Sequence, residues 1–190
     1  FDDFIDVADA LAHDGALGLV DGRRIASRGL SAGGLLQGAV YSQRPDRWRA
    51  VVAEVPFVDV VTAMSDPSIP LTVNEWDEWG DPRDPEFIAY MVSYSPYDNP
   101  PPADGRPPLL VTGAVHDPRV LVREPAKWAS VLRATDPRGG EGADPSDPTS
   151  PGTVLFRVET AEGSHSGPAG RFGHLDYEAE VAAWVLTALS

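Results

Sequence analysis

Three residues far apart in the chain have the types needed for nucleophilic catalysis. Ser31 lies in Gly29-Leu30-Ser31-Ala32-Gly33, a G-x-S-x-G string. A serine hydroxyl is a weak nucleophile until a base takes its proton, so a base and an acid to orient it are needed downstream. Asp117 and His165 supply them in the order Ser, acid, His. His165 stands in Gly163-Ser164-His165-Ser166-Gly167, a flexible run that can hold an imidazole above a sheet. The other histidines are less well placed. His13 ends the opening helical stretch, and His116 points opposite to Asp117 if the strand continues. His174 begins the last helix, where a solvated or capping role is expected. Asp117-Pro118 also favours a turn, so a turn-starting role competes with the catalytic one. The Ala32 N–H is the expected oxyanion donor.

These side chains need elements to carry them. Arg24–Ser27 reads as a short strand and Ala32–Gln43 as a buried, small-residue helix, so the serine falls on a tight strand-to-helix turn. That is the nucleophile elbow of the α/β-hydrolase fold, in which a Cβ at either flanking glycine is expected to crowd the turn; Gly34 gives further room for helix packing. Val51–Val55 and Leu109–Thr112 are apolar runs suited to strands covered on both faces, and Thr153–Val158 is the last strand. Asp117 follows the third of these and His165 the fourth, where parallel strands deliver functional groups at their carboxyl ends. Helices are expected over residues 1–14, Pro125–Ala134 and Leu175–Leu189. A Trp-rich irregular insertion lies between the middle strands, and Asp136–Gly152 is a mobile surface loop by composition. Strands alternating with helices imply a parallel sheet with helices on both faces.

Composition bounds the partners. The chain has 190 residues, 42% of them hydrophobic and 23% charged, enough for one core and one domain of ordinary size. Lys+Arg number 15 against 29 Asp+Glu, a net charge of −14, which repels nucleic acid and anionic membranes and attracts cationic substrates. Cysteine is absent, so thiolate catalysis, disulfides and Cys-ligated zinc are excluded; no metal or cofactor is expected. No apolar run reaches the ~18 residues of a membrane span. The start, Phe1-Asp2-Asp3-Phe4, lacks a basic n-region and an initiator Met, and reads as a cut chain.

Longer strings resemble one family. Phe1-Asp2-Asp3-Phe4, Gly33-Gly34, Gln43-Arg44-Pro45, Val55-Pro56-Phe57-Val58-Asp59-Val60-Val61 and Ser68-Ile69-Pro70-Leu71-Thr72 are followed by Glu78-Trp79-Gly80 and Tyr94-Ser95-Pro96-Tyr97-Asp98-Asn99. His116-Asp117-Pro118-Arg119-Val120 and Glu124-Pro125-Ala126-Lys127-Trp128 complete the set. Together they resemble the C-terminal part of the catalytic domain in the oligopeptidase B group of the prolyl oligopeptidase family of serine peptidases. The resemblance implies that Ser31, Asp117 and His165 form the triad, and that short peptides are cleaved after Arg or Lys. It places the pocket for the basic side chain on Thr72–Trp79, with Glu75 as main carboxylate and Asp77 in support. Phe57 is implied as a pocket wall, and Arg119 as a donor to a substrate carbonyl. Other readings stand beside these. Thr72 and Glu75 have the T-x-x-E spacing of a capping box, Phe57 suits a core, and Arg119 suits a surface ion pair.

The resemblance also implies what should precede Phe1: the first half of the hydrolase sheet, which carries a second oxyanion donor, and a β-propeller, all in a cytoplasmic enzyme. The chain is then the C-terminal half of an α/β-hydrolase fold, residues 1–190 forming part of one catalytic domain. Its first strand would present an unpaired apolar edge. Ser164 and Ser166 depart from the glycines usual beside the histidine, so a stiffer or displaced loop is expected. An inactive remnant serving as an interaction domain, and a peptidase or esterase of different specificity, are the alternative functions.

Overall fold

The computed structural model describes residues 1–14, 18–136, 147–170 and 172–190. Four parallel strands form one sheet in the order β1-β2-β3-β4: Ala26–Leu30, Ala50–Glu54, Leu109–Ala114 and Val154–Glu159. Helices α1 (Asp2–Asp14), α2 (Ala32–Gln43) and α6 (Arg123–Ala134) bring apolar side chains to one face, and α7 (Gly173–Leu189) covers the other. The two-residue strand period decides which residue meets which layer. Val51, Ala53, Leu109 and Val111 pack with Val40, Tyr41, Trp128 and Leu132, whereas Ala50, Val52 and Leu110 pack with Tyr177, Val181 and Trp184. Both sets are buried, which is why β2 and β3 are apolar almost throughout.

The strand boundaries moved for physical reasons. β1 runs later than the expected Arg24–Ser27, because pairing with β2 carries extended backbone right up to the serine: Gly29 opposes Ala53 and Leu30 opposes Glu54. β2 stops at Glu54, since Val55 adopts φ 37°, a left-handed value that no strand continues through. β3 extends through Gly113 and Ala114, paired in register with Val158 and Glu159 of β4.

The insertion expected to be irregular contains short helices. It contains α3 (Val60–Met64), a 3-10 turn (Thr72–Glu75), α4 (Trp76–Trp79) and α5 (Pro85–Tyr94). Asp84 starts α5, its side chain accepting from Glu86 N at 2.9 Å, with Pro85 in the first turn, where a missing N–H costs nothing. Leu35, Phe57, Val60, Met64, Ile69, Met91, Tyr94 and Val120 form a third apolar cluster beneath these helices. That cluster stiffens one wall of the site described below. Of the loop expected over Asp136–Gly152, residues 137–146 lie outside the described residues. Among the described residues no helix is long and apolar enough to cross a membrane.

One buried polar cluster ties the loop after β2 to α6. Asp59 is buried and accepts from the ammonium of Lys127, the only lysine, which also sits 4.2 Å from the centre of the Tyr97 ring. Glu124, buried beside it, accepts from the Asp59 amide at 3.3 Å. Burial pushes the Glu124 carboxyl up to about 8, the neighbouring Asp59 charge adding to the rise against the lowering effect of that amide. Between about 4.5 and about 8 the folded chain therefore holds a proton that the unfolded chain has released. Stability falls as pH rises through that window and is flat above it with respect to this group. Glu124→Gln should abolish this part of the slope, so that denaturant unfolding at pH 5 and pH 8 shows a loss on the order of a few kcal/mol for the parent that the variant lacks.

Candidate active site

Ser31 stands between β1 and α2 with φ 62° and ψ −118°, a left-handed backbone that a non-glycine residue adopts only when its surroundings impose it. Three hydrogen bonds impose it here. Ser31 N donates to Glu54 O at 2.9 Å, and Ser31 O accepts from Leu35 N at 3.0 Å and from Phe57 N at 3.3 Å. The turn needs glycine at two positions, though not at both of those expected. A Cβ on Gly29 would lie 2.3 Å from Gly33 O, and one on Gly34 would lie 2.7 Å from Pro56 Cα, whereas one on Gly33 would meet nothing within 4 Å. Ala32 opens α2, so its N–H has no acceptor within the helix and lies at the positive end of the helix dipole.

The acid and the imidazole meet. Asp117 Oδ2 lies 2.8 Å from His165 Nδ1. A carboxylate only accepts, so Nδ1 carries the proton and Nε2 is left as the basic nitrogen. The other oxygen, Oδ1, accepts from Arg119 N at 2.8 Å and Val120 N at 3.0 Å. Asp117 therefore holds its own turn with one oxygen and the histidine with the other, which reconciles the two readings of its sequence. Burial alone would push its carboxyl up, but the bonds from His165, Arg119 and Val120 together hold it below the ordinary aspartate range. His165 sits at the tip of a tight reversal closed by paired bonds between Ser164 and Gly167, each 3.0 Å, with Gly167 at φ 95°. The bridge is made by backbone groups alone and does not involve the hydroxyls of the flanking serines.

Ser31 and His165 are not hydrogen-bonded to each other among the described residues. Ser31 lines a cavity of about 130 Å³ with Phe57, Thr72, Glu75, Glu78, Trp79 and Arg119. His165 lines a different one of about 60 Å³ with Arg28, Glu54, Thr112, Tyr177 and Glu178. Both open where strands β1 to β4 end.

Comparison with known proteins gives this geometry a family. A model described as the Prolyl oligopeptidase family matches residues 1–190. The chain is 46% identical over 166 residues to Protease 2 of Moraxella lacunata, covering 87% of this chain and 22% of that protein. It is 41% identical over 189 residues to Dipeptidyl aminopeptidase BI of Pseudoxanthomonas mexicana, covering 100% of this chain and 24% of that protein. Among solved structures, oligopeptidase B from Trypanosoma brucei with covalently bound antipain superposes with TM-score 0.83 at 43% identity, over 98% of this chain and 24% of that one. The chain belongs to the prolyl oligopeptidase family. It spans about a quarter of the length of these relatives, and its parallel sheet with helices on both faces is that of the family's α/β-hydrolase domain.

The remaining expected residues of this family member separate into those at the cavity and those away from it. Glu75, Phe57 and Arg119 line the cavity of Ser31; Asp77 does not, and Glu78 stands there instead. The turn geometry explains the exchange, because residues three apart share a helical face and residues two apart do not. The capping-box alternative is not realised: the Thr72 hydroxyl donates to Ala63 O at 3.3 Å, and Glu75 makes no side-chain cap. Among the described residues Glu75, Glu78 and Arg119 make no ion pair. Phe57 is both wall and core, buried edge-on against Trp79 with ring centres 5.5 Å apart. Trp76 donates to Met64 O at 3.0 Å and packs against the third apolar cluster. Of the competing histidines, His13 faces Asp9 O at 2.7 Å, His116 is exposed, and His174 is exposed 3.9 Å from Glu178.

The close approaches at the elbow give a direct check. Gly29→Ala drives a Cβ into backbone and should lower stability by about 1–3 kcal/mol, together with nucleophile reactivity. Gly33→Ala should be within about 0.5 kcal/mol of the parent by thermal unfolding.

Proposed function

We propose that this chain is the C-terminal part of the catalytic domain of a serine peptidase that hydrolyses short peptides on the carboxyl side of Arg or Lys. The observation that carries the reading is the Asp117–His165 pair at 2.8 Å on the sheet edge where the strained Ser31 shares a cavity with Glu75. Ser31 Oγ attacks the carbonyl carbon of the scissile bond while His165 Nε2 takes its proton. Asp117 holds the tautomer and stabilises the imidazolium. The Ala32 N–H stabilises the oxyanion at the start of α2, the leaving amine takes the proton from His165, and water then cleaves the acyl-enzyme by the same steps reversed. Closing the gap between His165 and Ser31 is a substrate-dependent step in this reading, since catalytic hydrogen bonds are often long or unmade without substrate.

Specificity follows from the carboxylates at the cavity. A guanidinium donates charge-assisted hydrogen bonds to a carboxylate, and Glu75, without an ion pair among the described residues, shares the nucleophile's cavity; Glu78 rather than Asp77 supports it, and Arg119 at the same cavity donates to a substrate carbonyl. The reading includes a longer enzyme in the cytoplasm, with the first hydrolase strands and a β-propeller in cis. β1 at an edge of the sheet and the quarter-length match to the relatives support the longer chain. A second reading, release of dipeptides, is favoured by the name of the 41% identical relative.

The test uses an active-site-directed phosphonate and fluorogenic peptides. Adduct formation on the parent and its loss in Ser31→Ala are expected; no adduct on the parent would leave an inactive remnant. Glu75→Gln should lower kcat/KM for Arg substrates by about 10- to 100-fold with little effect on uncharged ones, while Asp77→Asn changes either by less than about twofold. Preference for substrates with a free dipeptide N-terminus would favour the second reading.

A further inference from the structure

A buried carboxylate behind the site and its partly exposed partners form a connected set that the reaction as described leaves unused. Glu54 ends β2, and its side chain is 5% exposed in a strand otherwise lined by small and β-branched apolar residues. An unpaired carboxylate there would be costly. Arg28 on β1 meets it with a fork, Nε to Oε2 at 2.7 Å and Nη2 to Oε1 at 2.8 Å, and the Tyr177 hydroxyl on α7 donates to Oε1 at 2.5 Å. The same guanidinium grips Glu178 on α7 with two further bonds of 2.7 Å. Glu178 and Glu54 raise the affinity of Arg28 for its proton, and Arg28 holds the Glu178 carboxyl below its usual range. Burial and the Glu54 carboxylate push the Tyr177 hydroxyl up, so it stays a donor.

The position of this set matters more than its strength. The Glu54 backbone oxygen is the acceptor that holds Ser31 N, and the next residue, Val55, is the one at φ 37°, its N–H donating to Thr112 Oγ1 at 3.1 Å. One residue thus grips the nucleophile turn with its backbone and α7 with its side chain. Tyr177 and Glu178 stand near the N-terminal end of α7, the end that follows the His165 segment in the chain, and Arg28, Glu54, Thr112, Tyr177 and Glu178 line the same cavity as His165. Other charged groups line it too: Arg157 lies 4.8 Å over the Tyr177 ring, 2.8 Å from Glu180 and 3.8 Å from Glu159, and His174 lies 3.9 Å from Glu178.

We propose that Arg28, Glu54, Tyr177 and Glu178 are positioning residues, a clamp that sets how closely the His165 loop approaches Ser31. The proposal rests on the triad reading above. Buried ion pairs often add little net stability relative to apolar packing, but misplacing reacting groups by about 1 Å costs on the order of 100-fold in rate. The clamp therefore acts on kcat. None of its four residues lines the cavity that holds Glu75, so KM is spared.

The test is made in the chain at its natural length. Tyr177→Phe keeps the ring and removes only the hydroxyl; Glu178→Gln alters the exposed half of the clamp, where loss of fold is not expected. Each should lower kcat for an Arg substrate by about 5- to 50-fold with KM within about twofold, and Glu178→Gln should leave the thermal midpoint unchanged. Arg28→Lys should not rescue, because an ammonium cannot fork two carboxylates at once. Leu132→Ala, a core truncation on the opposite face, controls for general loosening, and active-site titration corrects every rate for folded enzyme. Parent-like kcat in both Tyr177→Phe and Glu178→Gln, or losses no larger than that of Leu132→Ala, would overturn the clamp. Full activity in His165→Ala would instead overturn the triad reading itself, which separates the two failures.

Discussion

The Ser31 backbone cannot hold its left-handed conformation alone. It is kept there by a neighbouring strand: the carbonyl of Glu54, at the end of β2, accepts from the serine N–H, and the amide of Phe57, three residues later, donates to the serine carbonyl. Those bonds exist only because β1 and β2 pair in parallel to their last residues, Leu30 opposite Glu54. Strand pairing thus converts a strained turn, costing about 1–3 kcal/mol by itself, into the preferred local state. The glycines at 29 and 34 then have a specific purpose, letting the helix backbone and Pro56 approach without a Cβ between them. Everything at the site is placed relative to this turn.

Carboxylates dominate the chain, and the fold assigns the buried ones contrasting environments. Asp117 receives two amides and an imidazole and stays charged. Glu54 receives a guanidinium fork and a phenol, and Asp59 receives the single lysine. Glu124 makes no ion pair among the described residues and receives backbone amides, and burial keeps its proton on. The differences come from the number and charge of donors within reach, not from residue type. Glu75 and Glu78 make no ion pair among the described residues and face the cavity of the nucleophile.

The sequence was most legible where local pattern and tertiary role coincide. β2 and β3 were readable because a strand covered on both faces is apolar at every position, and the elbow because its spacing is short and fixed by one turn. Boundaries were less legible. β1 looked like Arg24–Ser27, yet pairing with β2 draws in Gly29 and Leu30, residues of low strand preference. The Trp-rich insertion looked irregular because its helices are short, and their apolar faces are completed by Phe57 and Val120 from distant segments. Glu78 carried a usable signal, three residues after Glu75 on a helical turn, while the family resemblance pointed to Asp77. The clamp carried a fainter one, a glutamate closing an apolar strand.

Residue order by itself determined the parallel sheet, the turn that bears Ser31, and the candidacy of Asp117 and His165, because each of these depends on spacing within about ten residues and on alternation of apolar side chains. Only tertiary structure decided that Asp117 and His165 meet while Ser31 stays unbonded to both, that Gly33 is dispensable where Gly29 is not, and that Arg28 spans two carboxylates. Those outcomes depend on distances of a few ångströms between segments up to 150 residues apart. Such distances are set by how helices and strands pack, and no local pattern in the chain encodes them.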